Sequence, residues 1–175
     1  MTESGASRAV TADRLGAWVV KANPALASVA TLAGDGFAGV ARWCVRPSYR
    51  TGLVAAGQPV LLWVSGKDPG FPAGFHAFGE VTGPCRVDAG QPEIPMRLRP
   101  MPSPALRAEL LLDPVLATAE VVRMPAGSNP SYLDAEQYDA LRHAFPQVAA
   151  APAACPSAPA PRVRAPGAQH LGWNP

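Results

Sequence analysis

Lysine is nearly missing from this chain. Of 15 basic residues, only Lys21 and Lys67 are lysines, and the others are arginines. Charge of either sign is sparse, at 16%. Once Arg162 and Arg164 of the C-terminal tail are set aside, the basic residues only balance the acidic ones. A neutral body argues against a protein that coats nucleic acid by charge alone. It leaves open one that grips a single base in a pocket. Arginine suits bidentate phosphate contacts, and a GC-rich coding sequence would favour Arg, Ala and Pro just as well.

Cysteine is scarce too. Cys44, Cys85 and Cys155 are odd in number and far apart, so neither a metal spacing nor a disulfide framework is suggested. No metal and no cofactor is expected. No apolar run approaches the roughly 20 residues that span a bilayer. The N-terminal M-T-E-S-G-A-S-R lacks the apolar core of a signal peptide. These absences together predict a soluble protein of a reducing, cytoplasmic setting, with no membrane partner.

What is present suffices for one domain. The chain has 175 residues, 48% of them apolar. Many of its 21 prolines fall in Pro95–Pro104 and after Phe145. Three divisions are expected: a flexible lead over 1–15, a domain over 16–146, and an Ala/Pro-rich tail over 147–175 that is disordered or polyproline II.

Within the domain, Ala17–Lys21, Val40–Val45, Pro59–Ser65 and Phe75–Val81 read as strands. Ile94–Arg99 alternates apolar residues with Pro or Arg and reads as an edge strand. Glu120–Met124 reads as a last short strand. Helices are expected over Ala25–Leu32, over Pro47–Ala56 with Gly57 as its stop, and from a Ser103 cap to about Leu112. A last helix is capped by Asp134, with Gln137 completing a capping box and Leu133 stapled to Tyr138. Gly34–Gly39 spells G-x-G-x-x-G, but a strand candidate follows it where a dinucleotide fold needs a helix, so it reads as a connector. Gly66-Lys67 lacks the residues of a phosphate loop. The order of elements is α+β, and hairpin-paired short strands favour a curved, mostly antiparallel sheet or open barrel with flanking helices.

Certain blocks stand out along this order: W-V-V-K-A-N-P (Trp18–Pro24), W-C-V-R-P-S-Y-R (Trp43–Arg50), V-L-L-W-V-S-G (Val60–Gly66), G-E-V (Gly79–Val81) and R-M-P-A-G-S-N-P-S-Y-L (Arg123–Leu133). In order and spacing they resemble the EVE domain, a PUA-like group related to the YTH readers of methylated adenine. The resemblance runs from about Ala17 to Phe145. It implies a PUA-like curved sheet with a pocket for one extruded base, and a nucleic-acid partner carrying a modified base, DNA ahead of RNA. A nuclease or another protein partner is also implied.

Residues carry over by position. Trp43-Cys44 resembles the Trp-Cys pair of the YTH group, whose Trp is a wall of an aromatic cage. Asn23, after Lys21, stands where that group reads the base edge. Ser65 ends the central strand beside the expected pocket. Arg46, Tyr49 and Arg50 follow the cage Trp where the nucleic-acid backbone would approach, and Ser128 and Asn129 border the site. Two departures bear on which base is read: Ala22 replaces a serine common after the lysine, and the second cage Trp of the YTH group has no clear equivalent.

The residue types suit the task. Extruding a base costs a few kcal/mol. Stacking on an aromatic returns roughly 1–3 kcal/mol, and burying a methyl about 0.8 kcal/mol. One wall barely breaks even, so a second is required; Trp18, Trp63 and Phe75 are the candidates. Each residue also has a plainer reading. Trp63 lies in an apolar run and reads as core, Trp18 fits core or cage, Asn23 can be a helix cap, Lys21 a solvated strand end, and Tyr49 packing. Ser128 and Asn129 can simply build a turn, and Cys44 a small buried position. His76, His143 and His170 lack nucleophile or metal partners in sequence, and Glu80 is the only carboxylate near the central strands. No catalytic residues are expected.

The leading reading is therefore a non-enzymatic binding module for a modified base, a modified cytosine in DNA first. Its rivals are a reader of modified or structured RNA, which would need a basic surface of Arg97, Arg99 and Arg107 continuous with the pocket, and a small enzyme acting on a nucleotide or nucleoside, which would need His76 or Glu80 in the pocket beside a second titratable group.

Overall fold

The computed structural model describes residues 9–24, 29–66 and 68–148. The expected helix start at Ala25, the phosphate-loop reading at Lys67 and all but the first residues of the Ala/Pro tail lie outside the described residues. The strands are β1 (Leu15–Ala22), β2 (Arg42–Cys44), β3 (Pro59–Val64), β4 (Gly74–Val81), β5 (Arg86–Asp88), β6 (Gln91–Leu106) and β7 (Ser131–Asp134). They form one seven-stranded sheet in the order β2-β6-β4-β3-β1-β7, with β5 also paired to β6. The helices are short: α1 (Val29–Gly34), α2 (Arg107–Leu110), α3 (Glu120–Arg123) and α4 (Ala135–Ala144), with 3₁₀ turns at Tyr49–Leu53, Leu116–Thr118 and Pro146–Val148. The fold is α+β, an open and mostly antiparallel sheet with flanking helices, as the sequence predicts.

At its centre β1 and β3 run parallel, Trp18 beside Val60 through Ala22 beside Val64. A parallel pair must be covered on both faces, and alternation along the two strands supplies both. Trp18, Val20, Ala22, Val60, Leu62 and Val64 point into a first apolar cluster with Val29, Phe37, Ile94 and Met96. Ala17, Val19, Leu61 and Trp63 point into a second, closed by Leu110, Leu116, Val121, Val122 and Leu141 from the helices. Each fully buried side chain of this size contributes about 1.5–3 kcal/mol.

Sequence and structure part company in a few places. Val10, inside the expected flexible lead, is buried in the first cluster, and its N–H donates to Tyr49 Oη at 3.0 Å. Pro47–Ala56 makes only the 3₁₀ turn Tyr49–Leu53. The expected edge strand Ile94–Arg99 is the start of a much longer one. Near Ile94 β6 has neighbours on both sides, Trp43 of β2 opposite Ile94 and Arg86 of β5 opposite Glu93. Past Met96 only β4 pairs with it, and that open edge tolerates Pro100, Pro102 and Pro104, which have no N–H to donate. Ser103-Pro104 accordingly opens no helix: Ala105 and Leu106 pair with Phe75 and Gly74, and the helix waits until Arg107. Glu120–Met124 is not a strand but the helical turn α3. It packs over the second face and buries Val121 and Val122 there. The last strand is β7, antiparallel to β1.

The end of the domain follows the sequence closely. Asp134 Oδ1 accepts the Gln137 N–H at 2.9 Å, and Gln137 Oε1 accepts the Asp134 N–H at 3.1 Å. This is the reciprocal capping box that starts α4. Gly34–Gly39 forms the turn leaving α1, with Phe37 buried.

Gly79, in the block G-E-V, is dictated by β6: a Cβ there would run into the Arg97 backbone carbonyl. Gly79→Ala is therefore expected to destabilise the domain by about 2–3 kcal/mol. Urea unfolding should show a lower midpoint at unchanged slope, and an unchanged midpoint would contradict this packing.

Candidate functional site

The site grows from the place where β1 and β3 end side by side. Just past the paired Ala22 and Val64, the chain at Ser65 folds back on β1. Its N–H donates to the Ala22 carbonyl at 2.8 Å and its hydroxyl to the same oxygen at 3.2 Å. Gly66 follows with φ +112, a left-handed conformation that favours glycine. A Cβ added there would face Asn23 Oδ1 at 3.7 Å. Asn23 is exposed at this rim.

Two other segments close on the same point. In β2, alternation turns Arg42 and Cys44 outward and Trp43 inward. The Trp43 indole N–H donates to the Lys21 carbonyl at 3.2 Å, and its half-buried ring packs against the first apolar cluster. Asn129, from the turn before β7, links the two strands. Its Oδ1 accepts the Lys21 N–H at 3.3 Å, its amide donates to the Cys44 carbonyl at 3.5 Å, and its own carbonyl accepts the Arg46 N–H at 2.8 Å. Lys21, Asn23, Trp43, Cys44, Ser65 and Asn129, with the Arg46 backbone, thus meet at one end of the sheet. Ser128 is exposed beside Asn129.

Other sequence candidates are placed elsewhere. Trp18 has no accessible surface and its N–H donates to Gln58 Oε1 at 2.7 Å, so it is core. Trp63 is equally buried, but on the opposite face, edge-on to Phe75 at 5.1 Å between ring centroids. Neither of these, nor Phe75, offers open ring surface as a second wall. Cys44 is exposed, not buried, because Trp43 takes the inward position of β2. Its thiol donates to Glu93 Oε1 at 3.5 Å; partial burial and this carboxylate push its pKa up.

Arg50 is not presented for phosphate. Its guanidinium binds both oxygens of Glu120 at 3.3 and 3.0 Å and the Pro130 carbonyl at 2.9 Å, and lies over the Tyr132 ring at 5.1 Å. Burial works against this charge, but Glu120 and Tyr49 together more than offset it and hold the Arg50 pKa above its usual value. Tyr49 is 55% exposed, with its hydroxyl engaged by Val10.

Phe71 is the residue that sequence reasoning passed over. It comes from the loop between β3 and β4 and packs, half-buried, against the same cluster as Trp43. Its ring centroid lies 5.9 Å from His76. The available signal was an aromatic in a Gly/Pro/Asp loop, a setting with little reason to hold one. Glu120 was passed over too, since nothing in the sequence links it to Arg50.

His76 and Glu80 are not brought together. His76 Nε2 lies 2.8 Å from the Pro72 carbonyl, while Glu80 pairs with Arg97 beside the start of β3, the far end from Ser65. Among the described residues no group of three His, Cys, Asp or Glu is placed to hold a metal ion, and no helix is long and apolar enough to cross a membrane. Arg97, Arg99 and Arg107 each have a partner within the fold. They are engaged respectively by Glu80, by the face of Phe78 and by the Val122 carbonyl.

No protein-family model matches the chain, and no curated protein matches it. Solved structures do match in fold. A protein from Rhodopseudomonas palustris determined by NMR is similar with a TM-score of 0.59 and 15% identity, over 75% of this chain and 94% of that one. A hypothetical protein from Leishmania major matches with a TM-score of 0.56 and 15% identity, over 78% and 98% of the two chains. A crystal structure from Agrobacterium tumefaciens matches at 0.55 and 13%, over 75% and 93%. At these identities the likeness is one of fold.

Lys21 carries the most perturbed charge at this end of the sheet. Burial lowers its pKa to about 8; Glu120 counters this, and Arg50 and Arg46 add to it. In the unfolded chain a lysine holds its proton to about pH 10.4. Between those values the unfolded state binds more protons, so stability rises with pH across this window; below it the cost is fully present. The stability of the wild type relative to Lys21→Met should therefore be flat below pH 7 and rise from pH 8 to pH 10 in paired urea titrations. A difference that stays flat throughout would place the ammonium in solvent.

Proposed function

We propose that this chain is a non-enzymatic binding module of EVE type that takes one modified base, a modified cytosine in DNA first, against Trp43. The observation that carries the reading is the convergence at the ends of β1 and β3. There a half-buried indole bonded to the Lys21 carbonyl and the Ser65 turn bonded to the Ala22 carbonyl stand beside the exposed Asn23.

The chemistry follows from the residue types. Trp43 supplies a face for stacking, worth roughly 1–3 kcal/mol. Its N–H is already held by the Lys21 carbonyl, so the ring is oriented before a base arrives and loses little freedom on binding. Asn23 can both donate and accept, which suits a base edge. With Trp18 and Trp63 committed to the core, Phe71 is the aromatic that best serves as the second wall. A modification methyl then adds about 0.8 kcal/mol by burial, close to a fourfold preference. The phosphates flanking the base fall to exposed Arg46, in place of Arg50.

Fluorescence anisotropy at fixed salt tests this. Matched DNA and RNA oligonucleotides carry cytosine, 5-methylcytosine, 5-hydroxymethylcytosine or N6-methyladenine. One modified DNA oligonucleotide is expected to bind at least about fourfold tighter than its unmodified match. Trp43→Ala should abolish the preference, and Phe71→Ala should weaken it. Equal affinity for every oligonucleotide, unchanged in Trp43→Ala, would overturn the reading.

A further inference from the structure

Three buried polar side-chain atoms lack a hydrogen-bond partner among the described residues: Lys21 Nζ, Trp63 Nε1 and Ser131 Oγ. Register puts them on one face. Trp63 is the direct neighbour of Lys21 across the parallel pair, and Ser131 stands opposite Val19, one step back on the same side of β1. They occupy three adjacent strands, β7, β1 and β3. That face is the one opposite Trp43. Trp63 and Ser131 have no accessible surface, whereas Lys21 is half-buried and its terminal nitrogen is covered.

All three are donors: an ammonium, an indole N–H and a hydroxyl. Buried donors without acceptors are costly, and an unpaired buried ammonium most of all. None of the three is placed to bond another, so what the cluster lacks is an acceptor. The charges nearby fix the sign of that acceptor. Arg50 and Arg46 act on Lys21 here against its charge, and Glu120, the largest of the charge influences, favours it. Both Glu120 oxygens are taken by Arg50. Three cations therefore share one carboxylate, and Lys21 Nζ makes no hydrogen bond to it. A water or a neutral carbonyl would answer the hydrogen bonds but not the charge. An anion with several oxygens answers both.

We propose that Lys21, with Ser131 and Trp63 behind it, forms an anion site for a phosphate group, on the opposite face of the sheet from the Trp43 site. The stem of Lys21 reaches the surface, so the site lies one side chain deep and an anion meets Lys21 first. The phosphate is either free or part of a polynucleotide backbone. This inference does not rest on base binding at Trp43.

Thermal unfolding of the full chain at pH 7 and constant ionic strength is the test, with inorganic phosphate as one arm and an unmodified single-stranded oligonucleotide as the other. The wild-type Tm should rise saturably, by about 3 °C or more once phosphate is in large excess over its Kd. Lys21→Met keeps the stem volume and removes the buried charge. It should fold, match or exceed the wild-type Tm without phosphate, and lose the response. Ser131→Ala should keep the response with affinity lowered about fivefold, the value of one hydrogen bond. Trp43→Ala should retain the phosphate response whether or not it loses base discrimination, which keeps the two ideas separable. A Lys21-dependent rise with the oligonucleotide assigns the site to backbone phosphate, and one with inorganic phosphate alone assigns it to the free ion. No rise in the wild type with either, or an equal rise in Lys21→Met, would overturn the proposal.

Discussion

Strands β1 and β3 lie side by side and parallel, and most of the molecule's arrangement can be traced to that contact. A parallel pair in the middle of a sheet has to be sealed on both faces. That is why W-V-V and V-L-L-W-V are apolar almost throughout and do not alternate with polar residues. It also decides the fate of two of the four tryptophans. Trp18 seals one face and Trp63 the other. Because the strands are parallel and in register, they also end together. Two chain ends leaving the sheet at the same level create a step at its rim, which Ser65, Trp43 and Asn129 close by bonding to Lys21 and Ala22. A cleft at the carboxyl ends of parallel strands is a common place for a ligand to sit.

The two faces of β1 then acquire different characters. On the first, Trp43 and Phe71 lie over an apolar cluster and present aromatic surface. On the second, the ends of β7, β1 and β3 carry donors with no acceptor. Lys21 belongs to both: its backbone orients Trp43 and Asn129, while its side chain turns to the other side. The Arg50–Glu120 pair beside it has side chains only 11% and 16% exposed, and it holds α3 against the Pro130 turn. A buried pair of this kind is not a source of stability by itself. Its effect here is positional, since it ties up the carboxylate nearest the Lys21 ammonium.

Much of the fold was legible in the sequence. The apolar runs of β1, β3 and β4, the Asp134–Gln137 box and the antiparallel α+β class could all be read from local pattern. The misreadings share a cause, which is that pairing partners distant in sequence decided the outcome. β6 carries Pro100, Pro102 and Pro104, which locally signal a break or a helix start. They remain in a strand because β4 pairs on one side and the other edge is open. E-V-V-R has strand propensity, yet it forms a helical turn that packs its two valines over the second face. At the site, Trp43, Asn23, Lys21, Ser65 and Asn129 could be picked out because they lie in the blocks that stand out along the sequence. The face on which Trp18 or Trp63 lies could not, since alternation gives relative orientation and not which side is buried by what. Arg50 looked like a phosphate ligand because Glu120, seventy positions on, is invisible as a neighbour.

The central claim is that ligand contact falls on Trp43, with Trp18 and Trp63 serving as core on either side of the sheet. The indole N–H resonances report on each tryptophan separately, so the most direct measurement is an NMR titration of ¹⁵N-labelled protein with the preferred modified oligonucleotide. The account predicts that the Trp43 signal moves through the titration while those of Trp18 and Trp63 hold their positions. A Trp43 signal that stays fixed while Trp18 or Trp63 shifts would contradict it, and would place the ligand against the sheet interior.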